Sequence, residues 1–138
     1  MTALEVPAGT GTTVCRLEQI RRESGVAALV AGEAVAVFRT YDDELFALSN
    51  LDPFSGASVL SRGIVGTRTL TTVDDAGLTH AEEVPFVASP LLKQPFDLRT
   101  GRCLDDPAVM VATYEVALRD DVVIVGARRD LDLGSHAR

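Results

Sequence analysis

Apolar and polar residues alternate with a period of two along most of the chain from Thr12 onward. The stretches are short, rich in Val, Leu, Phe and Tyr, and separated by small turns, and none holds a helical period for three turns. Each stretch therefore reads as a strand with one face turned inward. Residues 26–30 and 34–39 flank Ala31-Gly32-Glu33, where Gly32 can supply the positive φ of a tight hairpin. The second of these strands continues through the acidic turn Tyr41-Asp42-Asp43-Glu44 into residues 45–49, which predicts a three-stranded meander. Toward the other end, residues 113–119 and 122–126 flank Asp120-Asp121 and place Tyr114, Val116 and Leu118 on one face. Residues 96–98 run into the turn Arg99-Thr100-Gly101-Arg102. Only residues 16–24 suggest a helical piece, a single short amphipathic turn carrying Leu17 and Ile20. Residues 67–83 are Thr-rich and then hold Val73-Asp74-Asp75-Ala76-Gly77, which reads as a hairpin tip or a mobile insertion without chemistry. Residues 127–138 have few apolar positions and read as a frayed tail. The expectation is an all-β antiparallel sandwich or barrel, one domain over residues 1–138 with its core at about 12–126.

Composition narrows the partners. With 138 residues and 46% hydrophobic content, the chain can bury a core without disulfides or a structural metal. A formal net charge of −7 argues against a nucleic-acid groove or an anionic membrane surface. No apolar run approaches the roughly 20 residues of a membrane helix. Residues 1–11 lack the basic start and apolar centre of a secretory signal, so the expected compartment is the cytoplasm. Cys15 and Cys103 are too far apart for a CxxC pair and are expected to be thiols. The chain has no Gly-x-Gly-x-x-Gly after a strand and no cysteine quartet.

Two segments stand out by the strict order of their turn and apolar residues: Asn50-Leu51-Asp52-Pro53-Phe54-Ser55-Gly56-Ala57, and Ser89-Pro90-Leu91-Leu92-Lys93-Gln94-Pro95-Phe96 continuing through Thr100-Gly101-Arg102-Cys103. They resemble the two cluster-binding loops of Rieske iron-sulfur domains, Cys-Pro-His with a following glycine loop and Cys-Pro-x-His before a Phe-x-Leu-x-Thr-Gly hairpin. The prolines, glycines and hairpin are kept, and the ligands are not. Asp52 and Phe54 stand at the first Cys and His positions, Ser89 and Leu92 at the second pair. A Rieske cluster needs two thiolates and two imidazoles. Phe and Leu offer no lone pair, and Asp or Ser does not replace a soft thiolate, so no cluster is expected here.

With Leu60-Ser61-Arg62-Gly63-Ile64-Val65-Gly66 and Leu104-Asp105-Asp106-Pro107, these motifs are similar to one family in particular, the small subunits of assimilatory NAD(P)H-dependent nitrite reductase. The similarity runs from about Val14 to Val125; the stretch between Gly66 and Val87 is longer than usual, and the tail after Gly126 is extra. The resemblance implies a Rieske-like sandwich whose two loops converge at one tip. It also implies a non-catalytic subunit supporting a large subunit that reduces nitrite to ammonium and carries FAD, a [4Fe-4S] cluster, sirohaem and the NAD(P)H site. Two alternatives are a Rieske-type [2Fe-2S] electron-transfer protein, opposed by the missing ligands, and a free-standing small-ligand β-domain, for which no convergent polar set is visible.

The singled-out residues each carry a plainer reading. Asp52 before Pro53 is expected to cap a turn. Phe54 is either a plug filling the cluster's volume or an exposed anchor. Arg62 is expected to brace one loop on the other, or else to face a partner. Lys93, the sole lysine, is a solvated loop residue or an interface charge. Asp105 and Asp106 read as a turn before Pro107 rather than an acid/base pair. Cys15 and Cys103 read as small buried hydrophobes, and His80 and His136 as surface residues. The expected partner surface is Phe54, Ser55, Arg62, Leu91, Leu92, Lys93 and Gln94.

Overall fold

The structure is a computed structural model that describes residues 11–129. Among the described residues the alternating stretches form nine strands: β1 (Thr12–Arg16), β2 (Ser24–Val30), β3 (Glu33–Arg39), β4 (Leu45–Ser49), β5 (Ile64–Val73), β6 (Thr79–Ala88), β7 (Pro95–Asp97), β8 (Thr113–Arg119) and β9 (Val122–Arg128). All pairings are antiparallel, in a six-stranded sheet of order β1-β9-β8-β4-β3-β2 and a three-stranded sheet of order β5-β6-β7.

Turn chemistry sets the registers. Val30 pairs with Glu33 across Ala31-Gly32, whose φ values of +51° and +81° give the left-handed turn that matches strand twist. Arg119 pairs with Val122 across Asp120-Asp121, again with both φ positive, and Asp tolerates that region better than most side chains.

The large sheet curls on itself. Val14 and Cys15 from one edge and Val26 and Ala28 from the other pack on a single cluster holding Ile20, Val35, Val37, Tyr114, Val116 and Val123. Tyr114, Val116 and Leu118 share that face, as the alternation predicted. Ala36, Phe38 and Leu48 point the opposite way, into a second cluster with Leu60, Val65, Val87 and Phe96 from the region of the small sheet. Strands β3 and β4 are thus buried on both faces.

One expectation is corrected and two are made more exact. The helical piece over 16–24 shrinks to a 3-10 turn at Leu17–Gln19, because Ser24 already begins β2 and Arg39 Nη1 donates to the carbonyls of Leu17 and Ile20 at 3.2 and 2.8 Å. The same arginine shares Asp43 with Arg22, and the two guanidinium hydrogen bonds hold the Asp43 carboxyl at about 2. Of the two readings of 67–83 the structure shows the hairpin, with ten residue pairs from Ile64↔Ala88 to Val73↔Thr79, the tip closed at Asp74–Leu78 and the outer half exposed. The last buried core residue is Val125, while β9 itself runs on to exposed Arg128 and the Arg129 N–H reaches the Thr113 carbonyl at 2.7 Å. The rest of the expected tail, including His136, lies outside the described residues.

Candidate functional site

The first loop leaves β4 at Ser49 and folds back on itself through the Leu51↔Ser58 bridge and the bonds Asp52 N–H to Ala57 O and Gly56 N–H to Asp52 O. Asn50 holds the return: its Oδ1 accepts from Ser61 N–H at 2.7 Å, and its Nδ2 donates to Ser58 O at 3.2 Å. The second loop, between β6 and β7, closes by Ser89 N–H to Gln94 O and Lys93 N–H to Ser89 O, both 3.0 Å, with Lys93 at φ +66°.

The two loops meet through Asp52 and Ser89, neither of which is solvent-exposed. Ser89 Oγ–H donates to Asp52 Oδ2 at 2.6 Å. Oδ2 also accepts from Ser55 Oγ at 3.0 Å, and Oδ1 accepts from the Phe54 N–H at 2.9 Å. Burial by itself pushes the Asp52 carboxyl up. The hydrogen bonds from Ser89, Phe54 and Ser55 outweigh it, so the pKa lies below the ordinary carboxylate value. Asp52 caps its turn as expected, and in addition it ties the loops together.

Phe54 is half-buried, its ring 6.0 Å from that of Phe96 and packed on the second core cluster. That is the geometry of a plug. Leu91 and Leu92 are more than half exposed, Lys93 is exposed with Nζ on the Pro90 carbonyl, and Ser55 is exposed. Gln94 is half-buried, and its Oε1 is enclosed without a hydrogen-bond partner among the described residues. Arg62 does not brace the loops. It is exposed and makes no side-chain hydrogen bond or ion pair among the described residues, because Asn50 and Asp52 already supply the bracing through backbone and hydroxyl donors. Its neighbour Gly63 lies so close to the Ala88 carbonyl that a Cβ would not fit, which sets Arg62 beside the start of the second loop.

Elsewhere, Asp105 pairs with Arg68 at 3.2 Å, and the Asp106 carbonyl closes a turn on Val109 N–H. Cys103 is buried as expected, whereas Cys15 is only half-buried; both are free. His80 is exposed and bonded to Asp74 at 2.7 Å across the hairpin tip. Sequence reasoning missed the bond from Tyr114 Oη–H to Glu33 Oε1 at 2.6 Å, which joins residues 81 apart with no local signal. Burial and then Glu33 push the Tyr114 phenol up to about 12. Tyr114 and Glu33 line a cleft of about 440 Å³ on the other side of the first loop.

These residues do not fit a [2Fe-2S] cluster. The four positions offer a carboxylate, a phenyl ring, a hydroxyl and an isobutyl group, and the carboxylate and hydroxyl are engaged with each other. No group of three or more His, Cys, Asp or Glu side chains gathers to hold a metal among the described residues.

Comparison with known proteins adds four findings. The family model of the Rieske-like [2Fe-2S] domain matches residues 11–126. The nitrite reductase (NADH) small subunit of Escherichia coli K12 is 42% identical over 111 residues, covering 80% of this chain and 91% of that one. The NMR structure of the E. coli protein NirD superposes with a TM-score of 0.67 at 38% identity, covering 88% of this chain and 97% of that one. The nitrite reductase [NAD(P)H] large subunit of Klebsiella oxytoca is 36% identical over 121 residues, which are 88% of this chain but 11% of that one. That large-subunit chain carries a domain of this kind within it.

Proposed function

We propose, from the premise that this chain belongs to the Rieske-like [2Fe-2S] domain family and within it to the small subunits of NAD(P)H-dependent nitrite reductase, that it works as a cluster-free docking subunit. It binds the large subunit in the cytoplasm and contributes no catalytic group. FAD, the [4Fe-4S] cluster, sirohaem and NAD(P)H belong to that partner.

The observation that carries this reading is the 2.6 Å bond between Asp52 and Ser89. It occupies the two thiolate positions with a carboxylate-hydroxyl pair, while Phe54 closes the space beneath it against Phe96. The tip is ordered by packing and hydrogen bonding, without ligation. The docking surface is built on exposed Leu91 and Leu92 of the second loop, together with exposed Ser55, Arg62 and Lys93 and half-buried Gln94. Apolar groups inside a polar rim suit a protein interface. Phe54 supports that surface from below.

The test pairs metal analysis with binding. Anaerobically purified protein is expected to be colourless, and to form a complex with the purified large subunit. Leu92→Asp is expected to weaken that complex about tenfold or more without lowering the melting temperature. About two irons per chain with visible charge-transfer absorption would support the electron-carrier alternative instead.

A further inference from the structure

Both ends of the described chain leave the fold beside the first loop. Thr12 pairs with Val125, Tyr114 pairs with Arg128, and Arg129 N–H reaches Thr113 O. Thr113 in turn pairs with Leu48, and Ser49 N–H bonds to Ala112 O immediately before the first loop begins. The exit of β9 is therefore two strand spacings from the root of that loop, about 10 Å. The β5–β6 hairpin tip points the other way, ten residue pairs from the end of the small sheet that carries the second loop.

In the K. oxytoca large subunit a domain of this kind is part of the same polypeptide. A covalent connection to this fold starts at one of its two ends, and both open beside the first loop. A flexible tether holds the joined parts at an effective concentration that is highest near its origin and falls with distance from it. Between the end of β9 and the first loop lies the cleft of about 440 Å³, whose lining includes the apolar Leu51, Pro53 and Met110 and the polar Glu33, Tyr114 and Arg128. Leu51 and Met110 are 45% and 38% exposed, and both line this one cleft.

We propose that this cleft receives an apolar side chain of the nitrite reductase large subunit, so that the docking surface continues from the loop tip across Leu51 and Met110 to the end of β9. This rests on the docking reading above and extends it to a second patch. The cleft accepts a knob from the partner, while the Leu91 and Leu92 tip supplies one.

The experiment measures affinity of the purified large subunit for the full chain and for Leu51→Glu, Met110→Glu, Leu92→Asp and the hairpin-tip control Leu78→Glu, each checked by thermal melting. Both cleft variants are expected to bind about tenfold more weakly or worse with unchanged melting, and Leu78→Glu is expected to bind as the parent does. If Leu92→Asp weakens binding and both cleft variants bind normally, the cleft proposal is overturned and the tip reading stands. If the parent chain does not bind at all, both are overturned. If the cleft variants abolish self-association and leave large-subunit binding intact, the cleft belongs to a second copy of this chain, which also overturns the proposal.

Discussion

Asp52 accepts three hydrogen bonds from a position with no solvent exposure, and its two protonation states therefore differ in how well they hold the loops. Its folded pKa lies below the ordinary carboxylate value of about 4 that it regains on unfolding. The carboxylate's contribution to stability is accordingly complete above that ordinary value and is lost as the pH falls through the lowered one. Asp52→Asn keeps an acceptor for the Phe54 N–H but removes the charge. It is expected to cost about 1 to 2 kcal/mol at neutral pH, with the difference from the parent closing as the pH drops below about 4. Urea unfolding at a series of pH values measures this, and a difference that stays constant with pH would assign the cost to geometry instead of charge. The residue's turn-capping was legible because an Asx turn is local. Its bond to Ser89, 37 positions away, left no local trace. Only the resemblance of both loops to ligand loops set the two residues at neighbouring positions.

At the scale of elements, the β2–β3 turn has the right hand and a poor first residue. Ala31 sits at φ +51°, where a Cβ is unfavourable, directly before Gly32. Ala31→Asn creates the Asn-Gly pair preferred in two-residue hairpins. It is expected to raise stability by about 0.5 to 1 kcal/mol, read as an upward shift in melting temperature with an unchanged far-ultraviolet spectrum. Hairpins were the most readable part of the sequence, since turn residues and a period of two both act over short distances. The β5–β6 hairpin was read less well. Its outer half is exposed on both faces, so no apolar alternation marks residues 71–83 as strand. The expected brace at Arg62 failed for a related reason: a guanidinium reaches several partners on paper, while Asn50 had already taken the backbone groups it would have used.

For the whole molecule, the decisive feature is that β3 and β4 feed both core clusters, Val35 and Val37 to one and Ala36 and Phe38 to the other. Neither cluster can loosen without exposing strands the other needs. Phe96→Ala, a truncation at a fully buried ring in the second cluster, is expected to cost about 3 to 5 kcal/mol. It is also expected to leave a single unfolding transition, coincident by circular dichroism and by tyrosine absorbance. Two separated transitions would show that the clusters unfold independently. The sequence could not reveal this sharing, because the run Val35-Ala36-Val37-Phe38 is apolar at every position and hides which face each residue serves. The Tyr114–Glu33 bond has a spectroscopic consequence. The chain contains no tryptophan and only two tyrosines, Tyr41 exposed near the β3–β4 turn and Tyr114 in the cleft. Any tryptophan emission in a mixture therefore belongs to a partner, and Tyr114 supplies an ultraviolet signal from within the cleft itself. Burial first and Glu33 second push its phenol up to about 12, so an alkaline difference spectrum reads whether Tyr114 stays enclosed in the fold.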